Sequence, residues 1–106
     1  MIRHLLFAAK SFEDYGVIHR DLKPDNLIIK CPESDKALRL EDCQIMVIDW
    51  GFAVDLSRKS FAKEGCGTIG YMAPENFNKE KDSKVLNAEI TSKVDVYSLG
   101  VIFYEL

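Results

Sequence analysis

The chain has 106 residues, of which 47% are hydrophobic, 29% charged and 10% aromatic, the mixture of a globular domain rather than of a disordered or collagen-like chain. Fourteen Lys and Arg against seventeen Asp and Glu leave a net charge of −3, which argues weakly against a binder of nucleic-acid backbones. The longest apolar run, Leu99-Gly100-Val101-Ile102-Phe103-Tyr104, falls far short of the roughly 20 residues of a membrane span.

Near the N-terminus, Leu5-Leu6-Phe7-Ala8-Ala9 is ended by Lys10, too early for a secretory signal, so the expected compartment is cytoplasm or nucleus. Apolar residues at Ile2, Leu5, Leu6, Ala9 and Phe12 recur with helical spacing and predict a helix from Ile2 to Tyr15, stopped by Gly16. The chain leaves through Val17-Ile18. Leu27 to Ile29 and Gln44 to Ile48 read as buried strands, joined by a long hairpin connection from Lys30 to Asp42. Cys31, Cys43 and Cys66 are odd in number and lack Cys-x-x-Cys spacing, which reads as three reduced thiols and no zinc site. Residues Asp55 to Gly70, with Gly65, Gly67 and Gly70 close together, read as a mobile polar loop. Asn78 to Lys93 mixes both charge signs, as a partly helical, solvated segment would. Asp95 opens a helix to the last residue, with Val96, Leu99, Val101, Ile102, Phe103 and Leu106 around its axis, a pattern that predicts burial on all sides.

One cluster carries chemistry. Asp21, Lys23, Asp25 and Asn26 crowd beside His19, Arg20 and Pro24, just before an apolar strand; Asp49, followed by Trp50-Gly51, ends the next one. Two strand ends can bring Asn26 and Asp49 together. A carboxylate with an amide oxygen is hard-oxygen ligation, suited to Mg²⁺ shared with substrate phosphates. A nearby Asp can accept a hydroxyl proton, and a Lys can offset developing negative charge. These residue types allow metal-assisted phosphoryl transfer; taken alone they favour a plain polar turn.

Order and spacing add a family. His19-Arg20-Asp21-Leu22-Lys23-Pro24-Asp25-Asn26 resembles the catalytic loop of eukaryotic protein kinases. Asp49-Trp50-Gly51 is similar to the family's metal-binding Asp-Phe-Gly. Gly67-Thr68-Ile69-Gly70-Tyr71-Met72-Ala73-Pro74-Glu75 resembles the end of its activation segment, and Asp95-Val96-Tyr97-Ser98-Leu99-Gly100-Val101 the start of the central helix of its large lobe. Four motifs in order cover most of the chain.

The resemblance implies roles. Asp21 would be the catalytic base, Lys23 would contact the transferring phosphate, and Asn26 and Asp49 would hold Mg²⁺. Ile28 would lie under the adenine of ATP. Thr68 would hydrogen-bond toward Asp21 and Lys23 and shape the substrate groove. Lys23 with Thr68 resembles the serine/threonine branch. His19 would brace the loop, Asp95 would accept backbone hydrogen bonds from it, and Glu75 would pair with an Arg later in the lobe. The implied fold is α+β: a mainly helical large-lobe fragment, with a short β-hairpin carrying the catalytic and metal-binding loops.

The sequence departs from the family in places. Trp50 stands for the usual Phe. Asn26 and Asp49 are 23 positions apart, more than is common, which fits a lengthened hairpin. The stretch from Glu75 to Asp95 is also long. Ser57 and Ser60 lie where an upstream kinase would act. Glu64, three residues before Gly67, is expected to stand in part for a phosphate against Arg20. The glycine-rich loop, the strand Lys and the helix Glu that grip the nucleotide are not among these residues. A whole kinase fold runs to roughly 250 residues, so residues 1–106 read as a partial kinase domain, without its small lobe or the end of its large one. Leu99, Ile102, Phe103 and Leu106 are then expected to face water.

The function implied is transfer of the γ-phosphoryl group of ATP, with Mg²⁺, to Ser or Thr hydroxyls of protein substrates, and no activity from these residues alone. Neither nucleic acid nor membrane is an expected partner. The alternatives are a non-catalytic kinase-like binding module, against which intact Asp21, Asn26 and Asp49 argue, and a small-molecule phosphotransferase, against which the Gly67–Glu75 segment argues.

Overall fold

The computed structural model describes residues 2–33, 39–57, 66–76 and 91–105. Two helices, α1 (Ile2–Asp14) and α2 (Lys93–Glu105), flank two small antiparallel sheets. In one, β1 (Val17–Ile18) pairs with β4 (Val54–Asp55); in the other, β2 (Leu27–Lys30) pairs with β3 (Gln44–Val47). The α+β expectation holds at this level. The sequence reading, however, has one hairpin where the chain forms two sheets. A two-residue strand such as Val17–Ile18 carries too little periodicity to be recognised.

Helix α1 ends where Gly16 adopts a left-handed backbone, φ 67°, and its N–H returns to the Glu13 carbonyl at 3.0 Å. The turn leads straight into β1. Leu5 of α1 meets Leu22 of the loop after β1, together with Leu99 and Ile102 of α2. Ala9, Leu27, Ile45, Val47, Tyr71 and Phe103 pack around these four. Fully burying such side chains stabilises by about 1.5–3 kcal/mol each. A second small cluster joins Ile18, Ala73 and Val94. The first cluster takes in Leu22 of the 19–26 loop and the second takes in Ile18 just before it, so the apolar core anchors the loop.

Four expectations are corrected. Strands β2 and β3 are half-buried: Ile45 and Val47 turn inward, whereas the opposed pair Ile28 and Met46 is 46% exposed on each side. A two-stranded sheet with its inner face on a core leaves its outer face bare. Helix α2 is buried along one face and not all round. Val94, Asp95, Ser98, Leu99 and Ile102 are inside; Val96, Tyr97 and Tyr104 are outside. Leu99 and Ile102, expected to face water, are buried against α1 and Leu22, Phe103 is partly buried, and Leu106 lies outside the described residues. Finally, Cys31 and Cys43 form a disulfide and are not reduced thiols. The cause is register: Lys30 pairs with Gln44, so the next step sets Cys31 opposite Cys43. Cysteine count and spacing carry no information about strand pairing.

Residues 58–65 and 77–90 lie outside the described set, and with them Ser60, Glu64 and most of the Asn78–Lys93 segment. Among the described residues, no helix is long and apolar enough to cross a membrane.

Candidate active site

The segment from His19 to Asn26 has little regular structure, yet His19, Arg20, Asp21 and Asn26 are all buried polar residues. Burial of this kind is tolerated only when each group is hydrogen-bonded. The bonds come from distant parts of the chain. Asp95, only 3% exposed at the start of α2, accepts the backbone N–H of His19 at 2.8 Å and that of Arg20 at 2.9 Å. Arg20 has a left-handed backbone, φ 69°, which a non-glycine residue adopts only under constraint. The two oxygens of Asp95 supply that constraint. Burial lifts the Asp95 carboxyl above its ordinary value, against the downward pull of the two N–H donors.

His19 is fully buried and faces two ways. Its Nε2 lies 3.0 Å from the Ile48 carbonyl, and its Nδ1 lies 3.2 Å from the Asp21 N–H. A carbonyl only accepts and an N–H only donates, so these two contacts suit the tautomer that carries its proton on Nε2. One imidazole thus ties the 19–26 loop to the segment that carries Asp49. The Arg20 Nε adds a second tie, donating to the Phe52 carbonyl at 2.6 Å.

Pro24 starts a single 3₁₀ turn, Pro24–Asn26, that leads into β2. Proline suits a first helical position because its missing N–H would have no partner there. The turn buries Asn26, whose amide Nδ2 donates to the Asp21 carbonyl at 2.8 Å and, more weakly, to the Asp21 Oδ2 at 3.3 Å. Both partners are acceptors, so the NH₂ end must face them and Oδ1 faces away. Among the described residues that Oδ1 accepts nothing, yet no buried polar side-chain atom lacks a partner. It is therefore not fully enclosed, although Asn26 as a whole is buried.

Asp49 follows directly. The Ile48 N–H donates to the Asn26 carbonyl at 2.9 Å, extending the β2–β3 ladder by one pair and setting Asp49 beside the end of the 19–26 loop. Asp49 also has a left-handed backbone, φ 59°, and an exposed side chain whose Oδ1 receives only a long, 3.4 Å bond from the Gly51 N–H. Trp50 anchors this turn. Its indole N–H donates to the Val47 carbonyl at 3.1 Å, and its ring stands edge-on to Phe12 at 4.9 Å and to His19 at 4.7 Å. A free amide oxygen and an exposed carboxylate at adjoining strand ends fit a divalent hard cation, with phosphates and water completing its shell. Among the described residues, His, Cys, Asp and Glu nowhere gather in threes to hold an ion by themselves.

Residues 66–76 close over the loop. The Thr68 hydroxyl donates to the Asp21 Oδ1 at 2.6 Å, a short charge-assisted bond. Gly67 sits so close to the loop that an added Cβ would lie 2.9 Å from the Arg20 carbonyl and 2.8 Å from the Met72 sulfur. The Ser98 hydroxyl holds the Tyr71 carbonyl at 2.7 Å, and the Tyr71 hydroxyl donates to Glu105. The segment is thus fastened both to the loop and to α2.

Of the residues singled out from sequence, Asp21, Asn26 and Thr68 are in direct contact, and Asp49 joins them through the Asn26–Ile48 bond. Lys23, partly buried, precedes the 3₁₀ turn; the Thr68 hydroxyl goes to Asp21, and among the described residues it makes no bond to Lys23. Ile28 stands on the outer face of β2. Sequence reasoning missed the bonds of Trp50 and Ser98 and the squeeze on Gly67. A glycine beside a buried arginine loop gave no signal of that contact.

Comparison with known proteins supplies the family. The family model for the protein kinase domain matches residues 1–106. A calcium/calmodulin-dependent protein kinase type 1 from Macrobrachium nipponense is 38% identical over 106 residues, which cover 100% of this chain and 26% of that protein. The calcium/calmodulin-dependent protein kinase cmkB of Emericella nidulans is 33% identical over 98% of this chain and 22% of its own length. The serine/threonine-protein kinase RAD53 of Saccharomyces cerevisiae is 36% identical over 96% of this chain and 12% of its own length. The chain thus spans about a quarter or less of these relatives, and within that span it belongs to the eukaryotic serine/threonine protein kinase family.

Proposed function

We propose that these residues supply the catalytic base and the metal-binding pair of a protein serine/threonine kinase, which passes the γ-phosphoryl group of ATP to a Ser or Thr hydroxyl of a protein. The observation that carries this reading is the grip on Asp21. Asp21 is 6% exposed, and its carboxylate takes the Thr68 hydroxyl on one oxygen and the Asn26 amide on the other, and so draws two motifs to one point.

Each carboxylate oxygen keeps a second lone pair. Asp21 can therefore orient an incoming hydroxyl and accept its proton while Thr68 and Asn26 hold the carboxylate still. Lys23 would offset charge on the phosphoryl group as it moves. Asn26 Oδ1 and the Asp49 carboxylate would hold Mg²⁺, which, when bound, neutralises phosphate charge. Ile28, half-exposed on β2, offers an apolar surface to the adenine ring. Thr68, by fixing Asp21 from the side of the 66–76 segment, links the peptide-binding surface to the base.

The test is Asp21→Asn in the full-length protein. Phosphate transfer should fall by about 10²–10⁴-fold, the usual range for loss of a general base, while Mg-ATP still binds. Asp49→Asn should instead raise the Mg²⁺ concentration needed for half-maximal rate. Undiminished transfer by Asp21→Asn would sink the reading. The 106 residues by themselves, without the family's glycine-rich loop and strand Lys, are expected to transfer no phosphate above the Asp21→Asn background.

A further inference from the structure

The β2–β3 hairpin carries the candidate site at one end and the Cys31–Cys43 disulfide at the other. Between them run the four pairs from Leu27↔Val47 to Lys30↔Gln44. Continuing the ladder by one step brings the two cysteine Cα atoms to 4.2 Å, the close approach of a pair that exchanges no backbone hydrogen bonds. The ladder, not the sulfurs, creates this proximity. The reduced thiols would therefore already face each other, and closing or opening the bond requires no rearrangement. The two cysteines differ in burial: Cys43 is 4% exposed, whereas Cys31 is only partly buried.

We propose that Cys31 and Cys43 form a reversible redox-modification site, exchanging with small disulfides and thiols of the glutathione class, and that oxidation staples the end of the hairpin opposite Asn26 and Asp49. In the oxidising direction the Cys31 thiolate attacks a small disulfide, forms a mixed disulfide and releases one small thiol. The Cys43 thiolate then attacks the Cys31 sulfur and displaces the second. Two protein thiols are oxidised, one small disulfide is reduced to two thiols, and the protons pass to the departing thiolates. Reduction runs backward through the same mixed disulfide on Cys31, the less buried cysteine. The staple closes a ring across a separation of 12 positions, and such a cross-link lowers the freedom of the opened chain.

The test reads thiols and amide exchange rather than phosphate transfer, so it stands or falls apart from the kinase reading. The full-length protein with Cys66→Ser is equilibrated over a series of glutathione to glutathione-disulfide ratios, quenched with an alkylating agent and mapped by peptide mass. Cys31 and Cys43 should change together in one two-electron step. In Cys43→Ser a glutathione adduct should accumulate on Cys31; in Cys31→Ser the adduct on Cys43 should form at least about tenfold more slowly, because that residue is buried. Amides of Ile28, Lys30, Gln44 and Met46, which belong to the pairs that exchange ladder hydrogen bonds, should exchange about tenfold or more slowly in the oxidised form, with the amides of α1 unchanged. Independent titration of the two cysteines, a pair that stays closed or stays open at every ratio, equal adduct rates, or equal amide exchange would each overturn the proposal.

Discussion

The 19–26 loop and the β2–β3 hairpin adjoin each other at Asn26, yet they are held in opposite ways. The hairpin has a regular backbone ladder and half-exposed side chains. The loop has almost no ladder of its own, and its buried polar groups are bonded to residues far along the chain: Ile48, Phe52, Thr68 and Asp95. A backbone ladder survives most side-chain changes, because its bonds do not involve them. A loop held by single side-chain atoms does not, because losing one atom strands a buried partner. The candidate site is therefore most fragile at residues that touch no substrate.

The largest expected effect is at Asp95. Asp95→Ala leaves the His19 and Arg20 N–H groups buried without acceptors. At about 1–3 kcal/mol for each stranded group, the loss is roughly 2–6 kcal/mol, read by chemical denaturation. Asp95→Asn should be milder, since one oxygen remains, but its NH₂ must then face one of the two donors. This pair also fixes a pH dependence. The Asp95 carboxyl is raised by burial, so the folded chain holds that proton to higher pH than the unfolded chain does. The stability of the wild type relative to Asp95→Asn should fall as pH rises from the ordinary carboxylate range through the raised value, and level off above it. A difference that grows with pH across that window would contradict the assignment.

Gly67 comes next. Its φ of 132° is one that side chains rarely adopt, and a Cβ would press on the Arg20 carbonyl, which is backbone and cannot swing aside as the Met72 sulfur can. Gly67→Ala should cost about 1–3 kcal/mol and move Thr68 away from Asp21. In the full-length protein, transfer should drop further than the lost stability explains. Substitution on the hairpin sharpens the contrast: Ile29→Thr, at a half-exposed position, should stay within about 1 kcal/mol of wild type.

Trp50 lies between the two extremes, half-exposed and bonded by one indole N–H. Trp50→Phe keeps an aromatic edge toward His19 and Phe12 but leaves the Val47 carbonyl without its donor. The expected cost is about 0.5–1.5 kcal/mol. As the sole tryptophan of the chain, Trp50 also reports on its own turn: adding Mg²⁺ with ATP to the full-length wild type should change the fluorescence that this residue contributes, and Asp49→Asn should abolish the change.

The ladder and the loop also differ in how far sequence revealed them. Helix α1 was legible to within one residue of its end, because apolar spacing and Gly16 are local signals. The contact between the 19–26 loop and Asp95, 75 and 76 positions away, was legible only through family resemblance. No local pattern tells a carboxylate that it will receive two backbone N–H groups. The disulfide was misread for a related reason. The proximity of Cys31 and Cys43 is a property of strand register, set by the pairing of Leu27 with Val47, and compositional reasoning does not see register. Helix α2 was misread in a third way. Apolar residues all round its axis suggest burial all round, but which face is covered depends on where α1 and Leu22 lie.

The smallest expected effect tests whether the closing segment behaves like the loop or like the hairpin. Tyr71 contributes its backbone carbonyl to buried Ser98, but its hydroxyl donates to both oxygens of exposed Glu105 on α2, at 2.9 and 2.7 Å. That hydrogen bond, with the negative charge beside it, raises the phenol above its usual value. A phenol whose folded value is raised contributes stability below its unfolded value and loses that contribution as pH climbs through the folded one. The bond should therefore matter at neutral pH and vanish only in strong alkali. Because both partners lie in water, screening leaves it little weight. Tyr71→Phe should keep the thermal midpoint nearly unchanged, whereas Ser98→Ala, which releases the Tyr71 carbonyl inside, should lower it clearly. An alkaline absorbance titration gives the direct reading: Tyr71 should titrate late, and Glu105→Gln should bring its titration to lower pH. If Tyr71→Phe destabilised more than Ser98→Ala, the segment would be held from its exposed side, and the rule that buried polar contacts fix this site would fail at its outermost element.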